Sequence, residues 1–121
     1  MNKVKIIECP RDAMQGIKSH FIPTDKKALY LNSLLKVGFD TIDFGSFVSP
    51  KAIPQMRDTA EVLSKLDLSK TTSKLLAIIA NIRGANDASQ FEEIDYLGYP
   101  FSISENFQMR NTHKTLSLIH I

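Results

Sequence analysis

Leu75-Leu76-Ala77-Ile78-Ile79-Ala80 is the stretch on which the reading of the fold turns. No polar residue alternates with the apolar ones, so both faces of the segment are apolar. Polar residues from Ser69 to Ser73 precede it, and Asn81 and Arg83 follow, leaving a run of strand length rather than helix length. A strand that is apolar on both faces belongs in a parallel sheet covered by helices. The rest of the chain is read outward from that expectation.

Upstream, Thr41-Ile42-Asp43-Phe44 reads as a second strand, and the run Val4 to Cys9 as a first, ended by Pro10-Arg11-Asp12. Between them Ala28, Leu31, Leu34 and Leu35 fall on one helical face, with Thr24 as the expected cap, Asp25 in the first turn and Gly38 as the stop. Ser46 to Pro54 reads as a loop, and helix resumes near Gln55 with Met56, Ala60 and Leu63 as its buried stripe. Downstream, Arg83 to Gln90 is a helix candidate, and a fourth strand is expected from about Ile94 to Phe101, although Gly98 and Pro100 disfavour strand interiors. The order is then four strands alternating with three helices. Repeated strand–helix units predict a parallel sheet with right-handed crossovers.

The 121 residues fit one domain, and a formal net charge of +2, scattered along the chain, gives no footprint for nucleic acid or an anionic membrane. No apolar run approaches the roughly 20 residues of a membrane span. The first residues are too charged for a secretory signal. Cys9 stands alone, which excludes an internal disulfide and a Cys-based zinc site and makes a reduced, cytoplasmic setting the default. By residue type Cys9 is expected to be a small buried hydrophobe.

The G-x-G-x-x-G turn of a dinucleotide-binding sheet is absent after the first strand. Polar residues instead follow each strand: Arg11 and Asp12, then Asp43 and Ser46, then Asn81 and Arg83, then Ser102 to Glu105. The active sites of (β/α)₈ barrels occupy that rim, so the α/β fold is expected to be the first four strands of such a barrel. Asp12 directly after a strand can hold a hard cation such as Mg²⁺ or Mn²⁺, and Arg11 beside it can stabilise a developing enolate. From spacing alone the same dipeptide is more often a surface ion pair in a tight turn. Asp43, inside an apolar strand, must be paired, hydrogen-bonded or metal-bound, and spacing alone leaves structural and functional use open. His20 and His113 stand in polar contexts without a second histidine at ligand spacing.

Four segments carry a family likeness. Glu8-Cys9-Pro10-Arg11-Asp12-Ala13-Met14-Gln15 resembles the strand-1 signature of the DRE-TIM metallolyases, in the form found in 3-hydroxy-3-methylglutaryl-CoA lyases. The segment from Gly45 to Met56 resembles that family's S-F-V-S-P-K-x-x-P-Q-M motif, the most specific of the four. Asn81-Ile82-Arg83-Gly84 is similar to its turn after strand 3, and Ser104-Glu105-Asn106-Phe107 with Asn111 to its stretch after strand 4. The chain departs from the pattern at Asp43, where the family has Glu, at Ala13-Met14, where it has Gly-Leu, and in having one residue fewer between Glu8 and Pro10.

The resemblance implies that residues 1–115 are the N-terminal part of a TIM-barrel lyase domain. It makes Asp12 a metal ligand, Arg11 and Asp43 catalytic, and Gln15 and Ser46 substrate-side residues. The implied reaction is retro-Claisen cleavage of 3-hydroxy-3-methylglutaryl-CoA to acetyl-CoA and acetoacetate, a step of leucine degradation, with Mg²⁺ or Mn²⁺ as cofactor. The implied partners are an acyl-CoA and a second subunit of a homodimer, with neither nucleic acid nor membrane. Other members of the superfamily, of isopropylmalate synthase or aldolase type, and a non-catalytic half-barrel are the alternative readings. The family's His-x-His ligand pair and its acidic Cys are not found in the sequence, so the chain is expected to be an inactive piece of the enzyme. Leu116 to Ile121 match the translation of a sequencing-adapter end and are expected to be non-native.

Overall fold

A computed structural model describes residues 2–112. His113 and the proposed non-native tail, 116–121, lie outside the described residues. The elements are β1 (Ile7–Glu8), α1 (Pro10–Gln15), α2 (Thr24–Leu35), β2 (Thr41–Ser46), a 3₁₀ turn (Pro54–Met56), α3 (Thr59–Ser64), β3 (Lys74–Ile78), α4 (Ile82–Ala88), β4 (Tyr96–Gly98) and α5 (Glu105–Thr112). The four strands form one sheet in the order β1-β2-β3-β4, and every neighbouring pair is parallel. This is the sequential order expected of consecutive barrel units.

The core lies between the sheet and α2 and α3. Ile42 and Phe44 of β2 and Leu75 and Ala77 of β3 pack against Ala28, Leu31 and Leu35 of α2 and Val62 and Leu63 of α3. Leu31 is fully buried, which contributes about 1.5–3 kcal/mol. Gly38 ends the α2 region with φ 96°, the left-handed conformation that favours glycine.

Several expectations need correction. β1 is two residues long rather than the whole run Val4 to Cys9, because Val4 and Ile6 are exposed and only Ile7 and Glu8 find partners on β2. Pro10 follows the end of the strand, as expected, but it also starts a helix, since a missing N–H costs nothing in the first turn. Together with α5 this makes five α-helices where three were expected. Cys9 is exposed, not buried, because it sits at the junction where β1 gives way to α1. Thr24 is not the cap of α2. Pro23 holds that position, and the Thr24 hydroxyl donates to Asp58 at 2.7 Å. Ala60 is exposed and Val62 takes its place in the core, because the 3₁₀ turn resets the helical phase before α3 begins. β4 spans Tyr96–Gly98 only, in keeping with Pro100 beyond it. Among the described residues, no helix is long and apolar enough to cross a membrane.

β2 carries an irregularity that bears on the site. Asp43 pairs with Leu76, but Gly45 pairs with Ala77, so Phe44 is an extra residue in the ladder. Such a bulge shifts the alternation of faces by one. Phe44 and Gly45 therefore both face the helices, and Ser46, paired with Ile78, returns to the sheet face of Asp43. A Cβ on Gly45 would lie 2.4 Å from Thr59 Cγ2, which explains why that position is glycine.

Candidate functional site

Only Cys9 separates the end of β1 from the start of α1, so the first turn of α1 stands on the C-terminal rim of the sheet. Asp43 rises from the middle of β2 beside it. The two meet in a fork: Arg11 Nε donates to both Asp43 oxygens at 3.2 and 3.1 Å, and Nη2 donates to Oδ2 at 2.6 Å. Arg11 Nη1 donates to Gln15 Oε1 at 3.0 Å and to Asp12 Oδ1 at 3.3 Å. Of the five guanidinium N–H groups, one on Nη2 has no acceptor among the described residues.

Burial differs sharply within this group, with side-chain exposures of 5% for Asp43, 14% for Arg11 and 69% for Asp12. Burial pushes the Asp43 carboxyl above its ordinary value, and the hydrogen bonds and charge of Arg11 offset only part of that rise. The Cys9 thiol is pushed up too, chiefly by partial loss of surrounding water and next by the Asp43 carboxylate. Arg11, Asp12 and Gln15 line one side of a cleft of about 470 Å³, and Val48, Ala52 and Ile53 of the loop after β2 line the other.

The structure thus brings together Arg11, Asp12, Gln15 and Asp43. Ser46 is placed differently. It is 3% exposed, its hydroxyl accepts the Val48 N–H at 3.1 Å, and it borders a neighbouring cleft with Arg57 and Arg83. His20 is exposed, and its ring Nδ1 lies 3.0 Å from the Ser19 hydroxyl.

As a cation ligand, Asp12 offers a largely solvated carboxylate whose Oδ1 is shared with Arg11 and Gln15 and whose Oδ2 makes no hydrogen bond among the described residues. That fits one oxygen ligand of a hard cation, which takes six or more. Among the described residues no group of three or more His, Cys, Asp or Glu could hold a metal. Asp12 is therefore a compatible ligand but not a sufficient site.

Sequence reasoning did not single out Lys27, on the buried face of α2. Lys27, 2% exposed, pairs with Asp58 at 2.7 Å and donates to the main-chain oxygen of Gln55. Its signal was present: Lys27, Leu31 and Leu35 share one i, i+4 stripe, so a lysine stood on the buried face. Downstream, Asn81 Oδ1 accepts the Gly84 N–H at 2.8 Å and caps α4. Gly84 packs so tightly that a Cβ would lie 2.8 Å from Phe47 O.

No protein-family model matches the chain. The chain is 34% identical over 116 residues to the hydroxymethylglutaryl-CoA lyase of Bacillus subtilis, covering 95% of this chain and 38% of that protein. It is 35% identical over 112 residues to the 3-hydroxy-3-isohexenylglutaryl-CoA/hydroxymethylglutaryl-CoA lyase of Pseudomonas aeruginosa, covering 90% of this chain and 36% of that protein. Its fold superposes on the HMG-CoA lyase of Acinetobacter baumannii, solved in complex with coenzyme A and 3-methylmalate, with a TM-score of 0.85, 36% identity, and coverage of 94% of this chain and 37% of that one. The chain thus spans little more than a third of the length of its relatives, and it matches the N-terminal part of their barrels.

Proposed function

The chain belongs to the hydroxymethylglutaryl-CoA lyase family, and we propose from this that the whole protein cleaves 3-hydroxy-3-methylglutaryl-CoA to acetyl-CoA and acetoacetate. The observation that carries the proposal is the Arg11 guanidinium, forked onto Asp43 at the sheet rim with one Nη2 N–H left over.

In this reading Asp43 orients Arg11 and Gln15 braces its Nη1, so the guanidinium plane is fixed before substrate arrives. The spare N–H meets the thioester oxygen. When the tertiary alkoxide of the substrate collapses to a ketone, the carbon–carbon bond electrons pass into the thioester as an enolate. Arg11 holds that developing charge until the carbon is protonated and acetyl-CoA leaves. A donor prepositioned for the enolate lowers the barrier more than the ground state, which is how such groups accelerate reactions. Asp12 would supply one oxygen ligand to a divalent cation. That cation, when bound, makes the substrate hydroxyl easier to deprotonate. The ligands that complete its shell would come from the remaining barrel strands of the protein.

The test is acetoacetate release by the full-length protein with Mg²⁺ or Mn²⁺ added. Arg11→Lys keeps the charge but cannot reach Asp43 and Gln15 together, so kcat is expected to fall by about 10²–10³-fold. Retention of wild-type turnover by that variant refutes the role given to Arg11. Asp12→Ala is expected to weaken binding of Mn²⁺ itself, read by titration calorimetry. Unchanged Mn²⁺ affinity overturns the ligand assignment.

A further inference from the structure

We propose that Gln55 is a positioning residue that holds the two walls of the Arg11 cleft at a fixed separation, an inference that rests on the lyase reading only for the task given to Arg11. One wall is α1, which runs on into the segment from Gly16 to Pro23. The other is the loop after β2, which contributes Val48, Ala52 and Ile53 and ends in the 3₁₀ turn that bears Gln55.

The Gln55 side chain crosses from the second wall to the first. Its Nε2 donates to Ile17 O at 2.9 Å and to His20 O at 3.0 Å, and its Oε1 accepts the Ile22 N–H at 2.9 Å. Both amide N–H groups and the amide oxygen are thereby engaged, in a residue only 5% exposed. The first five residues of the segment it grips, Gly16, Ile17, Lys18, Ser19 and His20, are all exposed. Ile17 in turn donates its N–H to Met14 O, in the last turn of α1. Displacement of Ile17 is therefore passed to the helix that carries Arg11.

Gln55 is itself tied to the scaffold. Lys27 on α2 donates to its main-chain oxygen and pairs with Asp58, whose other oxygen accepts from Thr24 at 2.7 Å. The Phe21 ring contacts two cations, with Lys27 Nζ 4.0 Å and Arg57 Cζ 3.7 Å from its centroid. The gripped segment, both cleft walls and the core helix α2 thus meet at one buried node. Apolar packing alone would hold such a segment without fixing its register. Three directed hydrogen bonds fix it.

The experiment compares Gln55→Met, of similar size without the amide, and Gln55→Glu, which keeps an acceptor for Ile22, in the full-length protein. Hydrogen exchange followed by mass spectrometry is expected to rise in Gln55→Met over both 16–22 and α1, and less in Gln55→Glu. With the lyase substrate, kcat is expected to fall by about ten- to a hundredfold in Gln55→Met with KM within about twofold, because a displacement of about 1 Å costs on that order. Exchange that rises in 16–22 but not in α1, or unchanged kcat in a folded variant, overturns the proposal. If the unsubstituted protein lacks lyase activity, the functional reading fails, and exchange in α1 alone then decides the role of Gln55. If Gln55→Met does not fold, the same two readouts on Gln55→Glu decide it.

Discussion

Replacing Gly45 by alanine tests the account of the β2 bulge. The added Cβ would lie 2.4 Å from Thr59 Cγ2, 2.9 Å from Oγ1 and 3.2 Å from Cβ. Ordinary contact begins near 3.4 Å, so Thr59 must give by about 1 Å or the bulge must move. Thr59 has no room to yield cheaply: it is 4% exposed, its hydroxyl accepts the Ser46 N–H at 3.0 Å and donates to Met56 O at 2.8 Å. Overpacking costs about 1–3 kcal/mol. Leaving the buried Ser46 N–H without its acceptor adds about 1–3 kcal/mol. Gly45→Ala is therefore expected to destabilise by about 2–6 kcal/mol, read as a lowered urea midpoint at unchanged slope. Thr59→Ala alone loses the two hydrogen bonds but removes the obstructing atoms. In the double variant the alanine meets mainly Thr59 Cβ, so the double cost is expected to fall short of the sum by about 1–2 kcal/mol. Additive costs would refute the claim that Gly45 is required by its approach to Thr59.

Two further outcomes follow from buried charge. The folded-state pKa of Asp43 lies above its usual 3.8, so between that value and the raised one the folded state holds a proton that the unfolded state has released. Stability drawn from this group therefore falls as pH rises through that window. Asp43→Asn is expected to gain on the parent in urea midpoint as pH rises above the usual aspartate range, and a parent that gains instead shows that Arg11 outweighs burial. Lys27→Met leaves Asp58, 6% exposed, with only the Thr24 hydroxyl. A loss of about 3–5 kcal/mol is expected, largely recovered in Lys27→Met/Asp58→Leu. A single-variant cost below about 1 kcal/mol contradicts the burial of this pair.

What was legible in the sequence was what depends on periodicity. The two-faced run at Leu75–Ile78 and the Ala28, Leu31, Leu35 stripe located the sheet and its main cover, because strand and helix periods are local properties. The phase of α3 was not legible, since a 3₁₀ turn and a helix of six residues leave too few positions to reveal where the count restarts. β1 was overread for a related reason: β-branched residues mark strand propensity, but pairing depends on what β2 offers beside them. At the site, a carboxylate in an apolar strand announced that Asp43 needed a partner. That the partner is Arg11, 32 positions away, follows only once the first two strands lie side by side. The Gln55 node stayed hidden because its partners are main-chain groups, which leave no mark on residue type.

The fork between Arg11 and Asp43 also bears on how the sheet finds its alignment. β1 is matched to β2 at two positions, Ile7 with Thr41 and Glu8 with Ile42, and Ile7 is 52% exposed. So short and open a contact discriminates poorly between neighbouring alignments. A slip by one residue would move α1 by about 3.3 Å along β2 and draw the guanidinium away from a carboxylate that has lost most of its water. That misaligned state would strand a buried charge, a penalty far larger than any change in the two-residue ladder. The same ion pair that readies the guanidinium thus favours the one alignment of β1 on β2 in which the two groups meet.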